Sequence, residues 1–150
     1  MGLRSESYYT AARDRIKEAQ FLLENRYYTI AMYISGLAVE CILRAFRLLK
    51  NPTFDERHDL WRLWKSTELA NVHGELYHEK VQSAMDTTMA LWRNDYRFHS
   101  EAALRSYLKK IGSDRSIKGD FLKFNSKILY EAAEEIVQFG VNRWKLLKKK

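Results

Sequence analysis

The 150 residues are 46% hydrophobic and carry 26 Lys and Arg against 19 Asp and Glu, for a formal net charge of +7. That apolar content excludes a disordered chain, and the length suits one domain spanning 1–150 with its own core. The positive excess favours an anionic partner, with nucleic acid first.

A single proline, Pro52, and six glycines leave few breakers in the way of long helices. The segment from Met1 to Glu6 has no apolar signal core. The first helix is predicted from about Ser5 to Asn25, where Tyr9, Ala12, Ile16, Ala19 and Leu23 recur every three or four residues. A second helix follows over Tyr27 to Lys50. Its apolar stripe is Ile30, Ile34, Leu37, Ala38, Cys41, Ile42, Ala45 and Leu49, and beside it run Tyr33, Gly36, Glu40, Arg44 and Arg47. Glu40, Arg44, Thr29 and Ser35 argue for a core helix here, because a bilayer penalises each charge by about 2.5–3.5 kcal/mol. No membrane association is expected. Gly36 in mid-helix costs about 1 kcal/mol relative to alanine, which a close helix crossing would explain. Glu40 has two readings: an i,i+4 salt bridge with Arg44, or a carboxylate that orients a catalytic base or cation. The lone cysteine, Cys41, excludes an internal disulfide and fits a reducing, cytoplasmic setting.

Asn51 to Phe54 stops the second helix. A shorter helix is expected over about Asp55 to Ala70, with His58 near its start as a capping or packing residue, and then a turn at Val72 to Gly74. The next helix reads from Glu75 to Tyr96 through Tyr77, Val81, Met85, Met89 and Trp92. Ser100 followed by Glu101 marks a new helix start, an N-cap with an acid in the first turn, and this helix should reach Ile111. A polar loop from Gly112 to Ser116, extended through Gly119, leads to a last helix. That helix carries Phe121, Phe124, Ile128, Leu129, Ala132, Ile136 and Phe139, with Gly140 as a weak point, and should end near Leu147. Lys145 to Lys150 are expected as a frayed basic tail.

Between the fourth and fifth helices lies Arg93-Asn94-Asp95-Tyr96-Arg97-Phe98-His99. Arg93 is expected in the last turn of one helix and His99 at the entry of the next. On one unbroken helix the six-residue offset would turn the two side chains apart, whereas a break lets them converge. A fixed cation beside a residue type that titrates near neutral pH suits chemistry on phosphate esters; a solvated helix end with a stray histidine is the plainer reading. Other chemistry has no footing in the sequence. There is no glycine-rich phosphate loop, no zinc-type cluster and no serine or cysteine nucleophile motif. His73 and His78 do not share a helical face, and the carboxylates are scattered. No cofactor or metal is expected. A chain of this kind that cuts a phosphodiester would act on RNA, whose 2′-hydroxyl is an internal nucleophile.

Two stretches carry a family resemblance. Ala31 to Ala45 (AMYISGLAVECILRA) resembles the second helix of HEPN domains, and Ala11 to Leu23 is similar to their first. The family's nuclease signature is an arginine, often followed by a polar residue, then four to six intervening residues and a histidine; Arg93 to His99 matches with five. The resemblance implies an all-α bundle of five or six helices that dimerises, with two motifs meeting at the interface. It implies a metal-independent endoribonuclease acting in toxin–antitoxin pairs, often beside a nucleotidyltransferase, or in antiviral defence. His99 would then move protons, Arg93 would hold the scissile phosphate, and Asn94 would bond the phosphate or position His99, with Glu40 and Arg97 auxiliary. The family also includes non-nuclease modules, and Arg97-Phe98-His99-Ser100 is similar to their arginine–aromatic turn.

Overall fold

Six α-helices and no strand are present among the described residues, and small side chains set how closely the helices meet. The computed structural model describes residues 4–51, 59–67, 69 and 75–149, with backbone only at 75–78. The helices are α1 (Ser5–Glu24), α2 (Tyr28–Lys50), α3 (Leu60–Ser66), α4 (Glu75–Leu91), α5 (Glu101–Lys110) and α6 (Phe121–Lys148). A short 3-10 turn, Asn94–Phe98, separates α4 from α5. The expected start of the third helix at Asp55, with His58 and the turn at Val72 to Gly74, lies outside the described residues.

α2 is the central helix. It packs against α1, α3, α6 and the 3-10 turn. Ala12 and Ala19 of α1 are fully buried against the bundle, and alanines on that face permit close approach without side-chain entropy loss. The buried face of α2 is wider than the expected stripe. Met32, Ser35, Gly36, Val39, Glu40, Leu43 and Phe46 are buried with Ala38, Cys41, Ile42 and Ala45, while Ile30 and Leu49 are exposed at the two ends. A helix apolar on most of its circumference is a core element. α2 is long and apolar enough to cross a membrane by length and composition, and 67% of that stretch is buried within the bundle.

α6 crosses α2 at a second glycine. A Cβ on Gly140 would collide with Ile42, so this glycine marks a close contact and not the weak point expected of it. Beyond it, Trp144 stacks on Tyr9 of α1 with ring centres 4.7 Å apart and meets Phe46 edge-on at 5.5 Å. The helix continues to Lys148, whose Nζ lies 3.3 Å from Glu6 Oε1. Lys145 and Lys148 therefore extend the last helix instead of fraying from it.

The α5–α6 connection is held by charge. Asp120 caps α6 by accepting from the Leu122 and Lys123 amides, and Arg105 of α5 donates to its carboxylate at 3.0 Å. Arg105 first, then the cap amides, holds the Asp120 carboxyl below its usual range.

Candidate active site

The corner between α4 and α5 is built from Trp92 outward. α4 ends at Leu91, five residues before the expected end at Tyr96. The Trp92 amide makes a last bond to Thr88 O, and its indole then turns into the core. The indole ring lies over Gly36, where any Cβ would collide with it, and Nε1 donates to Tyr33 O at 3.0 Å. The glycine expected at a helix crossing thus receives an aromatic side chain. A pinned tryptophan fixes where the next residue emerges.

That residue, Arg93, is extended (φ −136°, ψ 141°) and lies outside the helix, not in its last turn. Five residues of 3-10 turn follow. Tyr96 within them is buried, and its phenol donates to Leu91 O, one of the carbonyls that the end of α4 leaves free. Burial pushes the Tyr96 phenol above its ordinary pKa. His99 is half-buried, its amide bonded to Tyr96 O. Ser100 then caps α5 by accepting from the Ala103 amide at 3.1 Å, as its sequence position indicates.

Beyond the break, Arg93 and His99 share one aromatic neighbour. Both lie against the ring of Tyr107 on α5: Arg93 Cζ is 5.2 Å from its centre and the imidazole centre is 6.4 Å away. Tyr96 completes the aromatic group, 5.5 Å from His99 and 5.9 Å from Tyr107. Asn94 Oδ1 and His99 Nδ1 are shielded from solvent and have no hydrogen-bond partner.

Arg93 has a second partner that the sequence reading passed over. Its Nε and Nη2 donate to the two oxygens of Asp95, each at 3.1 Å. Asp95 first, and Tyr107 after it, raises the pKa of the guanidinium, which remains a fixed cation. The signal for Asp95 was present, an acid two residues from the arginine. Tyr107 had none, because only folding brings α5 beside residue 93.

Two hollows flank the corner. One, of about 500 Å³, is lined by Trp61, Met89, Trp92, Arg93, Asn94 and Asp95 among others. The other, of about 330 Å³, lies on the side of His99 and Arg97 and is closed by the α1–α2 turn, Arg26 to Ile30. Within one chain the arginine and the histidine therefore open onto different concavities, although they share Tyr107. Arg97 is exposed with its guanidinium 4.6 Å from the Phe98 ring centre. Glu40 lines neither hollow. It is 4% exposed and its Oε2 accepts from Arg44 Nε at 3.2 Å, while Arg44 lies over the Tyr8 ring of α1. Among the described residues no group of three or more His, Cys, Asp or Glu is placed to hold a metal ion.

The family model described as HEPN domain matches residues 5–144. The chain belongs to the HEPN domain family. Its all-α architecture is that of the family, and the HEPN assignment places it among nucleotide-binding or ribonuclease-type domains. No curated protein and no solved structure matches the chain significantly.

Proposed function

We propose that this HEPN protein is a metal-independent endoribonuclease that works as a homodimer. The observation that carries the reading is the convergence of Arg93 and His99 on Tyr107, beside two buried polar atoms left without partners. Buried polar groups are ordinarily satisfied, so Asn94 Oδ1 and His99 Nδ1 mark a corner whose polar groups the single chain leaves unmatched.

In the reaction the RNA 2′-oxygen attacks the adjacent phosphorus and gives up its proton to a base. The bond from phosphorus to the 5′-oxygen breaks, and that oxygen takes a proton from an acid. The products are a 2′,3′-cyclic phosphate and a 5′-hydroxyl. His99 is the proton-transfer group, Arg93 holds the phosphate and its developing charge, and Asn94 bonds the phosphate or orients His99. Two copies of the corner supply both proton transfers, which fits the separate openings of Arg93 and His99 in one chain. Arg97 adds cationic surface beside His99. Glu40 is assigned to the core and not to the site. Metal independence rests on the scattered carboxylates of the sequence and the internal nucleophile of RNA. A cytoplasmic toxin or antiviral effector with a cognate antitoxin is the role this chemistry suits, supported by the free thiol of Cys41.

A second reading is a non-catalytic HEPN module that binds a nucleotide or a partner such as a nucleotidyltransferase. The bidentate Arg93–Asp95 pair favours it, since an arginine already neutralised has less to offer a phosphate.

Incubating RNA with the dimer in excess chelator, beside His99→Ala, separates the readings. Cleavage by the parent alone supports the nuclease. Intact RNA with a verified dimer, equal cutting by both, or cutting that requires added magnesium removes it.

A further inference from the structure

The hollow beside His99 is unlike an ordinary solvated groove. Arg26, Tyr27, Ile30 and Arg97 line it together with His99, and Glu101 is its one acid. Tyr27 is 61% exposed, and Ile30 is exposed next to it. Arg26 holds a left-handed backbone (φ 66°), which a non-glycine residue adopts at a cost of about 1–3 kcal/mol. That turn presents Tyr27 to the hollow. Arg97 lines the same hollow, with its guanidinium 4.6 Å from the ring centre of Phe98, which is 77% exposed. A large apolar ring left in solvent buries nothing for the fold. What it does contact is the Arg97 guanidinium.

We propose that this hollow is a nucleobase subsite for single-stranded RNA, in which one base stacks between the Tyr27 ring and the Arg97 guanidinium plane. The proposal rests on the ribonuclease reading of His99, next to which that base would lie. Aromatic rings and guanidinium planes are the surfaces on which unpaired RNA bases stack. At about 330 Å³ the space is in the range of small-ligand sites. Two arginines against one glutamate give the hollow a charge that attracts the phosphates flanking a base. Base stacking requires an unpaired strand, so the subsite selects single-stranded over duplex RNA.

The test is binding of a short fluorescent single-stranded RNA and of the matching duplex to the full-length protein. The His99→Ala background keeps the RNA intact. Tyr27→Ala should weaken single-strand binding about 5- to 100-fold and leave duplex binding unchanged, while Tyr27→Phe retains both. Phe98→Ala should lower single-strand affinity in the same direction. Because Tyr27 carries no charge, the salt dependence of binding should be the same for Tyr27→Ala as for the parent and shallower for Arg97→Ala. Sedimentation should show the same association state for all variants. Equal loss on duplex and single strand, no loss at all, or dissociation of the assembly by Tyr27→Ala overturns the subsite. The last outcome would mark this face as a contact between copies. If the parent cuts RNA and Tyr27→Ala binds normally, the subsite alone falls; if the parent cuts nothing but binds through Tyr27, the nuclease reading alone falls.

Discussion

The last helix and the corner at residues 92–107 both bury polar side chains, and they treat them differently. On α6, Asn125 donates to the carbonyls of Ser113 and Phe121, and Ser126 donates to Tyr28 O, so each ties the helix to a neighbouring segment. At the corner, Asn94 Oδ1 and His99 Nδ1 are shielded and unbonded. Leaving such an atom unpaired costs about 1–3 kcal/mol. Ser35 Oγ of α2 is also unbonded, but a helical serine has the carbonyl of its preceding turn within a χ1 rotation. Selection for stability alone would produce more positions like Asn125. The corner instead holds two unpaired polar atoms beside a fixed cation and an aromatic wall, and the proposed site rests on that contrast.

His99→Ala attacks that contrast most directly. Cleavage should fall by about 10²- to 10⁴-fold, the scale of general acid–base catalysis. RNA binding should persist on Arg93, Arg97 and the basic surface, and the melting temperature should hardly move. A cleavage time course with a parallel thermal melt checks all three. Arg93→Ala follows, with about 10²- to 10³-fold lower cleavage and weaker binding as well. Arg93→Lys should recover little, because a point charge cannot reproduce the two-oxygen fork seen on Asp95. Full activity in Arg93→Lys would show that only net charge matters at this position.

The two glycine contacts bring the same comparison to packing. Gly140 accepts Ile42 where α6 crosses α2, and Gly36 accepts Trp92 where the corner begins. Each substitution to alanine gains about 1 kcal/mol of helix propensity and meets a clash of about 1–3 kcal/mol. At Gly36 the clash wins, since the indole is tethered to Tyr33 O and cannot swing away. Both variants should lose about 1–2 kcal/mol in denaturant titrations. Their activities should differ. Gly36→Ala displaces the residue before Arg93 and should cut the rate per folded molecule about tenfold or more, whereas Gly140→Ala should keep it. Equal rates in the two would mean that Trp92 does not aim the site.

Much of this was legible in the sequence because it depends on local patterning. The apolar spacing of α1, α2 and α6, the Ser100 cap and the break before it follow from helix periodicity and capping chemistry. The early stop of α4 was not, since Val81, Met85, Met89 and Trp92 remain in helical register up to the point where Trp92 turns inward. What stops the helix is a tertiary contact with Gly36, 56 residues earlier in a helix read separately. Tyr107 was invisible for the same reason. Glu40 was placed beside the core stripe; the bundle buries both faces of α2, so its pair with Arg44 is interior and not a surface salt bridge.

That burial sets the next expectation. Glu40→Gln replaces an interior carboxylate by a neutral amide and should lower stability by about 1–3 kcal/mol. Cleavage per folded molecule should stay at the parent level, because Glu40 borders neither hollow. A fall in rate with an unchanged melting temperature would return Glu40 to the site as a residue that orients it.

The smallest effect is expected at Cys41, one residue further along α2, and it contrasts an interior titratable group with the open one at the corner. Burial, with the Glu40 carboxylate second, pushes the Cys41 thiol up to about 11 from its ordinary 9.0. A pKa raised in the folded state means that the fold favours the neutral thiol. The associated stability is fully present below pH 9 and is lost as pH rises toward 11. Comparing denaturant midpoints of the parent and Cys41→Ala over this window isolates the thiol's contribution, since lysines and tyrosines titrate in both. The parent should show the steeper decline, and iodoacetamide should label its thiol slowly at pH 8 compared with the unfolded chain. Parallel declines together with fast labelling at pH 8 would mean that α2 opens on its own at this position. The division between a closed α2 core and an open corner would then be drawn in the wrong place.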